Sequence, residues 1–411
     1  MSDVLFLAHR IPYPPNKGDK IRSWHWLESL TRDHAVHLGA FIDDERDMQY
    51  VKHLEGVCSS SYFETVQPLL SRLRAVRSAV VGRSLTEGIY RSAGMRRWVE
   101  RTVAERDIRV AFGFSSGVAP YLMESVPMQV RRVLDLCDID SDKWRQFAAT
   151  TSVPMSWVYG FEHRRLARAE RRWVEHCDAV LVVSRGERAL LEAAVGSCPN
   201  AHVVGNGVDS RYFDPAIVHP DPYADGAVPV VFTGAMNYWA NVEAAEWFVR
   251  EVLPALRRAE PAVVFAIVGS NPDPRVTALG REPGVLVTGS VPDVRPYVQH
   301  ARCAAIPLRI ARGVQNKVLE AMALAKPIVA TPESVAGLAA HAPVTEVDVE
   351  SEPSAFAAAV IRHLRGDAGV NQRARQYAIE HFNWATAVDE FKALTIPHAA
   401  QDSAAAVGSS Q

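Results

Sequence analysis

A basic and an acidic residue lie one turn apart at the start of a predicted helix that directly follows an apolar strand. The helix begins near Asn316, which places Lys317 and Glu320 close to its first turn. A helix start carries unpaired N–H groups and roughly half a positive charge, so a phosphate is favoured there. Lys317 adds a mobile cation for a diphosphate, and the Glu320 carboxylate can accept hydrogen bonds from vicinal hydroxyls such as those of a ribose. The spacing predicts a nucleoside diphosphate site.

Residues next to this pair are assigned to the same site. Gly313 lets the backbone come close to a ligand. Gln315, Asn316 and Val318 surround the helix start. The alternative interpretation is an ordinary helix, in which the apolar residues form the buried stripe and the charged pair lies at its solvent edge.

The elements that must position these residues follow an alternating pattern. Short runs rich in Val, Ile and Leu are each followed by a longer segment of helical periodicity, which predicts parallel sheets covered by helices. Predicted strands of the first half lie at 4–7, 36–41, 110–114, 133–136 and 179–183. Those of the second half lie at 230–233, 263–268, 285–288, 303–308 and 328–330. The fold class is therefore α/β, with two doubly wound, Rossmann-like domains.

Length and composition place the domain boundary. A chain of 411 residues exceeds what one core usually supports, and the polar, proline-rich stretch 206–229 separates the two series of strands. We expect an N-terminal domain over 1–207, a C-terminal domain over 208–383, a last helix at 384–398 packing on the first domain, and a disordered tail over 399–411. Ligands bind beyond the carboxyl ends of such strands, so we expect a cleft between the domains.

The segment 316–323, followed by 326–331, resembles the donor-site helix and next strand of the large retaining glycosyltransferase family called family four. In that family two glutamates stand eight positions apart, the second contacts the donor ribose, and a nearby lysine faces the diphosphate. Glu320 matches the second glutamate and Lys317 the lysine, whereas Arg312 occupies the position of the first glutamate. The resemblance covers nearly the whole chain and implies the GT-B architecture and a nucleotide diphosphate sugar as the donor.

The same resemblance assigns three further loops to the donor. The loop after the first strand, with Asn16, Gly18 and Lys20, would lean over the diphosphate; its alternative is a plain strand-to-helix turn. Gly269 ends a strand where the nucleoside would lie, and Ser290 stands in the loop that would contact the base; for both residues the alternative is a purely structural role.

The loop after the strand 230–233 departs from the family pattern. It carries Gly234 and the neutral residues Asn237 and Asn241, where many relatives carry an arginine and a lysine for the phosphates. Amide groups still donate hydrogen bonds. Charge neutralisation is then left to Lys317, the helix dipole and the arginines just before that helix.

Two carboxylates follow the strand 133–136. Asp138 and Asp140 lie where an acceptor would be met, and they could orient hydroxyls or act as a base. The alternative is capping of the next helix. This acidic segment, with the opening loop and the donor helix, resembles a subgroup tied to bacterial exopolysaccharide and exosortase systems.

Arginines recur between Arg72 and Arg106, interleaved with apolar residues. Basic amphipathic stretches bind anionic lipid surfaces, where a lipid-linked acceptor would be met. The alternative is a solvated helical face, because acidic residues return at Glu87, Glu100 and Glu105.

Charge and cysteine content narrow the functional classes. The chain has 45 Lys and Arg against 47 Asp and Glu, which gives no electrostatic case for a nucleic-acid partner. It contains no apolar run of membrane-spanning length and no signal-peptide pattern, so we expect a cytoplasmic protein, with peripheral contact at the inner face of the membrane as an option. Five scattered cysteines without ligand spacing predict reduced thiols and no metal site.

These observations together predict a glycosyltransferase that uses no metal or other cofactor. It would move a sugar from a nucleotide sugar to a saccharide or lipid-linked acceptor, with retention of configuration as the resemblance implies. Two alternatives keep the same fold: a nucleotide-sugar 2-epimerase, and a non-catalytic subunit that binds nucleotide sugars.

Overall fold

The computed structural model describes residues 3–311, 313–339, 344–366 and 370–396. Arg312 and the tail over 399–411 lie outside the described residues. The chain divides into two compact units. The first comprises residues up to Val204 and those from Ala387 onward, and the second is Gly205–Thr386.

The first unit is built on a seven-stranded parallel sheet with the order β3-β2-β1-β4-β5-β6-β7. Its strands are β1 (Asp3–Ala8), β2 (Ala35–Ile42), β3 (Ser60–Thr65), β4 (Ile108–Phe114), β5 (Arg131–Cys137), β6 (Ala179–Val182) and β7 (Ala201–Val203). The central strands are apolar and buried because helices cover both faces of the sheet. The strand order reverses between β1 and β4, which is where doubly wound sheets bind ligands.

Helices connect these strands. They are α1 (Gly18–Thr31), a 3₁₀ helix (Glu45–Tyr50), α2 (Val51–Val57), α3 (Pro68–Val80), α4 (Leu85–Ile89), α5 (Ala93–Glu105), α6 (Ala119–Glu124), α7 (Asp140–Thr150), α8 (Met155–His176) and α9 (Arg185–Val195).

A buried ion pair fixes α1 on β5. The Arg22 guanidinium donates to the Asp135 carboxylate across 2.7 Å, and the Trp26 indole N–H donates to the same group across 2.9 Å. Asp135 also accepts from the backbone N–H of Cys137, whose φ is +61°. A buried pair of this kind costs about 3–5 kcal/mol when one partner is removed, so it holds the carboxyl end of β5 in place.

The second unit contains a six-stranded parallel sheet with the order β10-β9-β8-β11-β12-β13. Its strands are β8 (Val228–Thr233), β9 (Val263–Val268), β10 (Val285–Gly289), β11 (Cys303–Ile306), β12 (Ile328–Ala330) and β13 (Asp348–Val349). The order reverses between β8 and β11, so the loops after these two strands flank the ligand position typical of the fold.

The helices of this unit lie between its strands and after the last one. They are α10 (Trp239–Trp247), a π-helix (Phe248–Val252), α11 (Leu253–Ala259), α12 (Pro274–Leu279), α13 (Arg295–His300), α14 (Asn316–Ala323), α15 (Pro332–Ala339), α16 (Pro353–Arg365) and α17 (Gln372–His381). The two parallel sheets with their covering helices confirm the predicted α/β fold class.

The last helix, α18 (Trp384–Thr395), returns the chain to the first unit. Phe391 stacks on Trp26 with ring centres 4.4 Å apart, and Lys392 pairs with Asp33 across 2.6 Å. The Arg131 guanidinium donates to the Leu394 carbonyl. Among the described residues, no helix combines the length and apolar character needed to cross a bilayer.

Candidate active site

The carboxyl ends of β8 and β9 touch through two glycines. The Gly234 N–H donates to the Val268 carbonyl across 3.0 Å, and a Cβ on Gly269 would lie 1.6 Å from the Gly234 carbonyl oxygen. A side chain at position 269 would therefore force the two loops apart. A Cβ on Gly234 would lie 3.0 Å from the Lys317 ammonium, so the glycines also leave room for that lysine.

Lys317 extends from the start of α14 to the loop after β8. Its ammonium donates to the Asn241 side-chain oxygen across 2.5 Å and lies 4.6 Å from the centre of the Phe232 ring. Asn241 is held in turn, because its amide donates to the Ala235 carbonyl across 2.9 Å. Burial lowers the pKa of Lys317 to about 7, although the charge of Glu320 opposes this shift. An anionic ligand would restore the charge.

The backbone before α14 takes a turn that glycine permits. Gly313 has a φ of +58°, and its carbonyl oxygen lies 2.1 Å from where a Cβ on Gly337 would stand. Gln315 has the extended conformation of an N-cap residue, and Val318 is buried below the helix start. The Asn316 side-chain oxygen is buried and makes no hydrogen bond to any described residue.

Glu320 lies one turn further along α14 and is partly buried. Burial raises the pKa of its carboxyl to about 7, against the opposing charge of Lys317. In the same unit, burial raises the pKa of Tyr212, with smaller contributions from the charges of Asp293 and Glu320. The Arg295 guanidinium stacks 3.7 Å from the centre of the Tyr212 ring.

Other predicted donor residues occupy the rim of the same sheet edge. Asn237 and Ser290 are exposed at the ends of β8 and β10. Arg309 pairs with Glu243 of α10 across 3.0 Å, so its charge is compensated within the unit. Among the described residues of the second unit, Lys317 is therefore the cation that we assign to a ligand at the start of α14.

In the first unit, Asp140 begins α7 beside the end of β4. It accepts hydrogen bonds from Ser116 Oγ and, across 2.5 Å, from Lys143 Nζ. Burial acts to raise the pKa of Asp140, but the charge of Lys143 and these hydrogen bonds lower it overall. A carboxylate of lowered pKa accepts hydrogen bonds from hydroxyls well and takes up protons poorly, so Asp140 fits orientation of a substrate better than base catalysis. Asp138 is exposed two residues earlier.

Other carboxylates bind the backbone at the start of α7. The Glu187 carboxylate accepts from the Ile139 N–H across 2.7 Å, and that of Glu170 accepts from the Ser141 N–H across 3.0 Å. Burial raises the pKa of Glu170 to about 8. These two residues perform the capping that was the alternative for the aspartates.

A second polar group lies at the end of β1. The Arg10 guanidinium binds Asp43 through two nitrogens, at 3.0 and 2.6 Å, and Asp19 through the third at 2.5 Å. His9 Nε2 lies 3.6 Å from Asp19, and the buried Nδ1 makes no hydrogen bond to a described residue. Burial opposes ionisation of Asp19, but the nearby His9 ring and the charge of Arg10 lower its pKa well below the usual range.

His9 also connects this group to the end of β4. Its ring stacks on Phe114 with centres 5.9 Å apart and packs edge-on against Tyr90 with centres 5.8 Å apart. Burial raises the pKa of Tyr90 to about 12. The ends of β1, β4 and β5 thereby carry one polar site, whose members we call the first-unit cluster: His9, Arg10, Asp19, Asp43, Ser116, Asp140 and Lys143.

The residues predicted for the opening loop differ from those that the structure places in the first-unit cluster. Lys20 has a buried ammonium that pairs with Asp47 across 2.6 Å, so we correct that choice and do not assign Lys20 to the donor. Asn16 and Gly18 are exposed beside it. The sequence pattern could have indicated His9 and Arg10, since both directly follow the central strand β1, whose carboxyl end is where such sheets bind ligands.

All five cysteines are free thiols. Within the described ranges, no group of three or more His, Cys, Asp or Glu residues is arranged to hold a metal ion.

Comparison with known protein families supports a nucleotide-sugar site in the second unit. Residues 228–366, which include the β8 loop and the whole of α14, match the family model described as "Glycosyl transferases group 1". This matched segment spans most of the second unit. No curated protein matches the chain in sequence.

The similarity to solved structures extends beyond this matched segment to nearly the whole chain. Anabaena HepE, solved with UDP-glucose, has a TM-score of 0.63 at 16% identity, over 95% of this chain and 98% of its own. Sucrose-phosphate synthase from Thermosynechococcus elongatus has a TM-score of 0.67 at 15% identity, over 95% and 97%. TarM, of which an S. aureus variant was solved with fondaparinux, α-GlcNAc-glycerol and UDP, has a TM-score of 0.63 at 10% identity, over 96% and 98%. These likenesses establish the GT-B type of fold across both units.

Proposed function

We propose that this chain is a glycosyltransferase that transfers a hexosyl group from a nucleoside diphosphate sugar to a saccharide or lipid-linked acceptor. The observation that carries the proposal is Lys317, a cation held by the neutral groups of Asn241 and Phe232 at the start of α14. The group 1 domain match covers this segment.

In the proposed reaction, the donor site must stabilise the nucleoside diphosphate as it leaves the sugar. When the bond between the anomeric carbon and the diphosphate oxygen breaks, negative charge accumulates on the diphosphate. Lys317 and the positive end of α14 are already in place to receive that charge, and preorganised groups of this kind typically dominate such catalysis. Glu320 would hold the ribose hydroxyls and thereby fix the register of the donor.

The acceptor side of the proposal is the first-unit cluster. Asp140 is ionised and keeps acceptor capacity beyond its bonds to Ser116 and Lys143. His9 and Arg10 follow β1, which neighbours β4 in the sheet, and they add donors to the cluster. Such a set of charged donors and acceptors would orient sugar hydroxyls, so we assign acceptor binding to this cluster.

The finer parts of the proposal rest on likeness to other proteins. Because HepE and TarM structures contain UDP, we propose a UDP sugar as the donor. Retention of configuration follows from the family resemblance of the 316–331 segment. A role in bacterial exopolysaccharide synthesis follows from the subgroup resemblance of the acidic segment at Asp138 and Asp140, the opening loop and the donor helix. We also propose that the reaction needs no metal.

The test is a thermal-shift screen of nucleotide sugars, followed by product analysis. A ligand that binds the folded state raises the melting temperature by mass action. We expect a UDP sugar to produce a shift and then to yield UDP and free or transferred sugar of retained anomeric configuration, with a rate unchanged by EDTA. A C2 epimer of the sugar in place of released UDP would identify an epimerase, and binding without turnover would identify a non-catalytic subunit.

A further inference from the structure

Helix α3 presents its large apolar side chains to solvent. Leu69, Leu73, Val76 and Val80 have exposed fractions of 72%, 60%, 61% and 82%. Their spacing of four, three and four residues places them in one line along the helix. We call this line the α3 stripe.

The opposite face of α3 is buried and consists of small residues, namely Ser71, Ala75 and Ser78. The polarity of the helix is thus inverted compared with an ordinary surface helix, which buries its large apolar residues. Four exposed aliphatic side chains in one line contribute no stabilisation by burial in the folded chain, and such an exposed apolar patch marks a surface that binds another one.

The contacts of α3 hold it in this orientation. A Cβ on Gly88 of α4 would lie 2.7 Å from the Ala75 Cα and 2.7 Å from the Ser78 Cβ, so the two helices touch through small residues. Next to this contact, at the carboxyl end of α3, the Arg165 guanidinium donates to the Ala79 carbonyl across 2.7 Å and to the Arg83 carbonyl across 3.2 Å. Rotation of the α3 stripe toward the core would break both contacts.

Charge indicates what covers the stripe. The segment 65–86 contains four arginines and no acidic residue. Arg72 and Arg77 project on either side of the stripe and are exposed, and neither forms an ion pair with a described residue. Arg74 and Arg83, by contrast, approach Glu64 and Glu124. Free guanidinium groups beside an apolar line match phosphate headgroups beside acyl chains.

We propose that α3 docks on an anionic lipid surface. The α3 stripe enters the boundary between headgroups and acyl chains, and Arg72 and Arg77 bind lipid phosphates. A single convex helix suits a planar surface, since it offers no groove for a peptide. This surface serves the protein whether or not the donor site acts as proposed, because α3 and α14 belong to different units.

The test is co-sedimentation of the full chain with vesicles. Wild type should bind vesicles that contain phosphatidylglycerol and bind pure phosphatidylcholine much less. A Leu73→Glu/Val76→Glu double variant should lose about a hundredfold in affinity, because two aliphatic side chains no longer transfer to the interface. An Arg72→Gln/Arg77→Gln variant should lose about twenty-five-fold, at about fivefold per arginine on an anionic surface.

Two controls make the result specific. Val218→Glu replaces an aliphatic side chain that is 86% exposed in the second unit, and it should bind vesicles as wild type does, as should Lys317→Ala. All substituted side chains of α3 are exposed, so the melting temperatures should stay the same. Equal binding by the Leu73→Glu/Val76→Glu variant, no binding by wild type, or a wild-type dimer that this variant dissociates would overturn the proposal, the last by making the stripe an interface between copies.

Discussion

The Lys317 ammonium lies 2.5 Å from the Asn241 side-chain oxygen, although the two residues are 76 positions apart in the chain. Asn241 offers a neutral partner, and no carboxylate of the described residues lies within 4 Å of this ammonium. The lysine is therefore oriented by a neutral partner and not by an ion pair. A site arranged in this way can bind an anion without first breaking an ion pair.

Glu320 should act through the ribose hydroxyls. Glu320→Ala should weaken UDP binding by about ten- to a hundredfold, because hydrogen bonds to a charged group contribute roughly 1.5–3 kcal/mol. The same substitution should change the affinity for 2′,3′-dideoxy-UDP by less than about twofold. Titration calorimetry of wild type and Glu320→Ala, each with UDP and with 2′,3′-dideoxy-UDP, measures the coupling between the carboxylate and the ribose hydroxyls. An equal loss of affinity for both ligands would place Glu320 away from the ribose.

Donor affinity should be highest near pH 7. The pKa of Lys317 is lowered to about 7, so its cation is lost as pH rises through that value; the pKa of Glu320 is raised to about 7, so its carboxylate is lost as pH falls. Because the two groups interact, the two apparent values belong to the pair. UDP-glucose is the suitable ligand, since its diphosphate does not titrate in this range.

Variants separate the two limbs of this pH profile. Lys317→Arg keeps its charge at all relevant pH values, so the alkaline limb, up to about tenfold per pH unit, should disappear. Glu320→Gln should remove the acidic limb. A flat wild-type profile would mean that neither group titrates in the binding step.

Asp140 should orient the acceptor. Asp140→Asn should lower kcat/KM for transfer by about a hundredfold, a typical effect of losing one positioned group, and leave UDP affinity unchanged. Asp142→Asn is the matched control, because Asp142 stands in the same helical turn and pairs with Arg145 across 2.6 Å. If both variants lose activity equally, the cause is the charge at the helix start and not contact with the acceptor.

The glycine contact between β8 and β9 should be essential. Gly269→Ala places a methyl group against the Gly234 carbonyl and should cost about 3 kcal/mol or more, which corresponds to a melting temperature lower by about 6 °C or more. Gly289→Ala is the control. It has open space but a φ of +68°, so only about 1 kcal/mol of backbone strain is expected. Equal melting temperatures for the two variants would contradict the close approach.

The fold was largely predictable because the inner strands are buried on both faces. Their continuous apolar runs identify them without any knowledge of their neighbours. The edge strands β3, β7 and β13 were not predicted. β3 has the sequence Ser-Ser-Tyr-Phe-Glu-Thr and is only partly buried, while β7 and β13 have three and two residues. Short or half-exposed strands carry little periodic signal.

The candidate site was predictable only where its residues are local in sequence. Lys317 and Glu320 lie on one helix turn, so their spacing indicates a shared role. The partner of Lys20 is Asp47, 27 residues away, and no local pattern reveals that this lysine is neutralised. The first-unit cluster gathers residues from 9 to 143, which only the order of strands in the sheet brings together.

The most direct test of the donor site is titration calorimetry of UDP against wild type, Lys317→Ala and Lys326→Ala. Lys326 is the matched control, because burial also lowers its pKa, to about 8. It precedes β12 and therefore lies at the amino ends of the strands, away from the start of α14. We expect Lys317→Ala to weaken UDP binding by about thirtyfold or more, the loss of a hydrogen bond between charged groups, and Lys326→Ala to bind within about twofold of wild type. Undiminished binding by Lys317→Ala, or an equal loss in both variants, would contradict a diphosphate site at the start of α14.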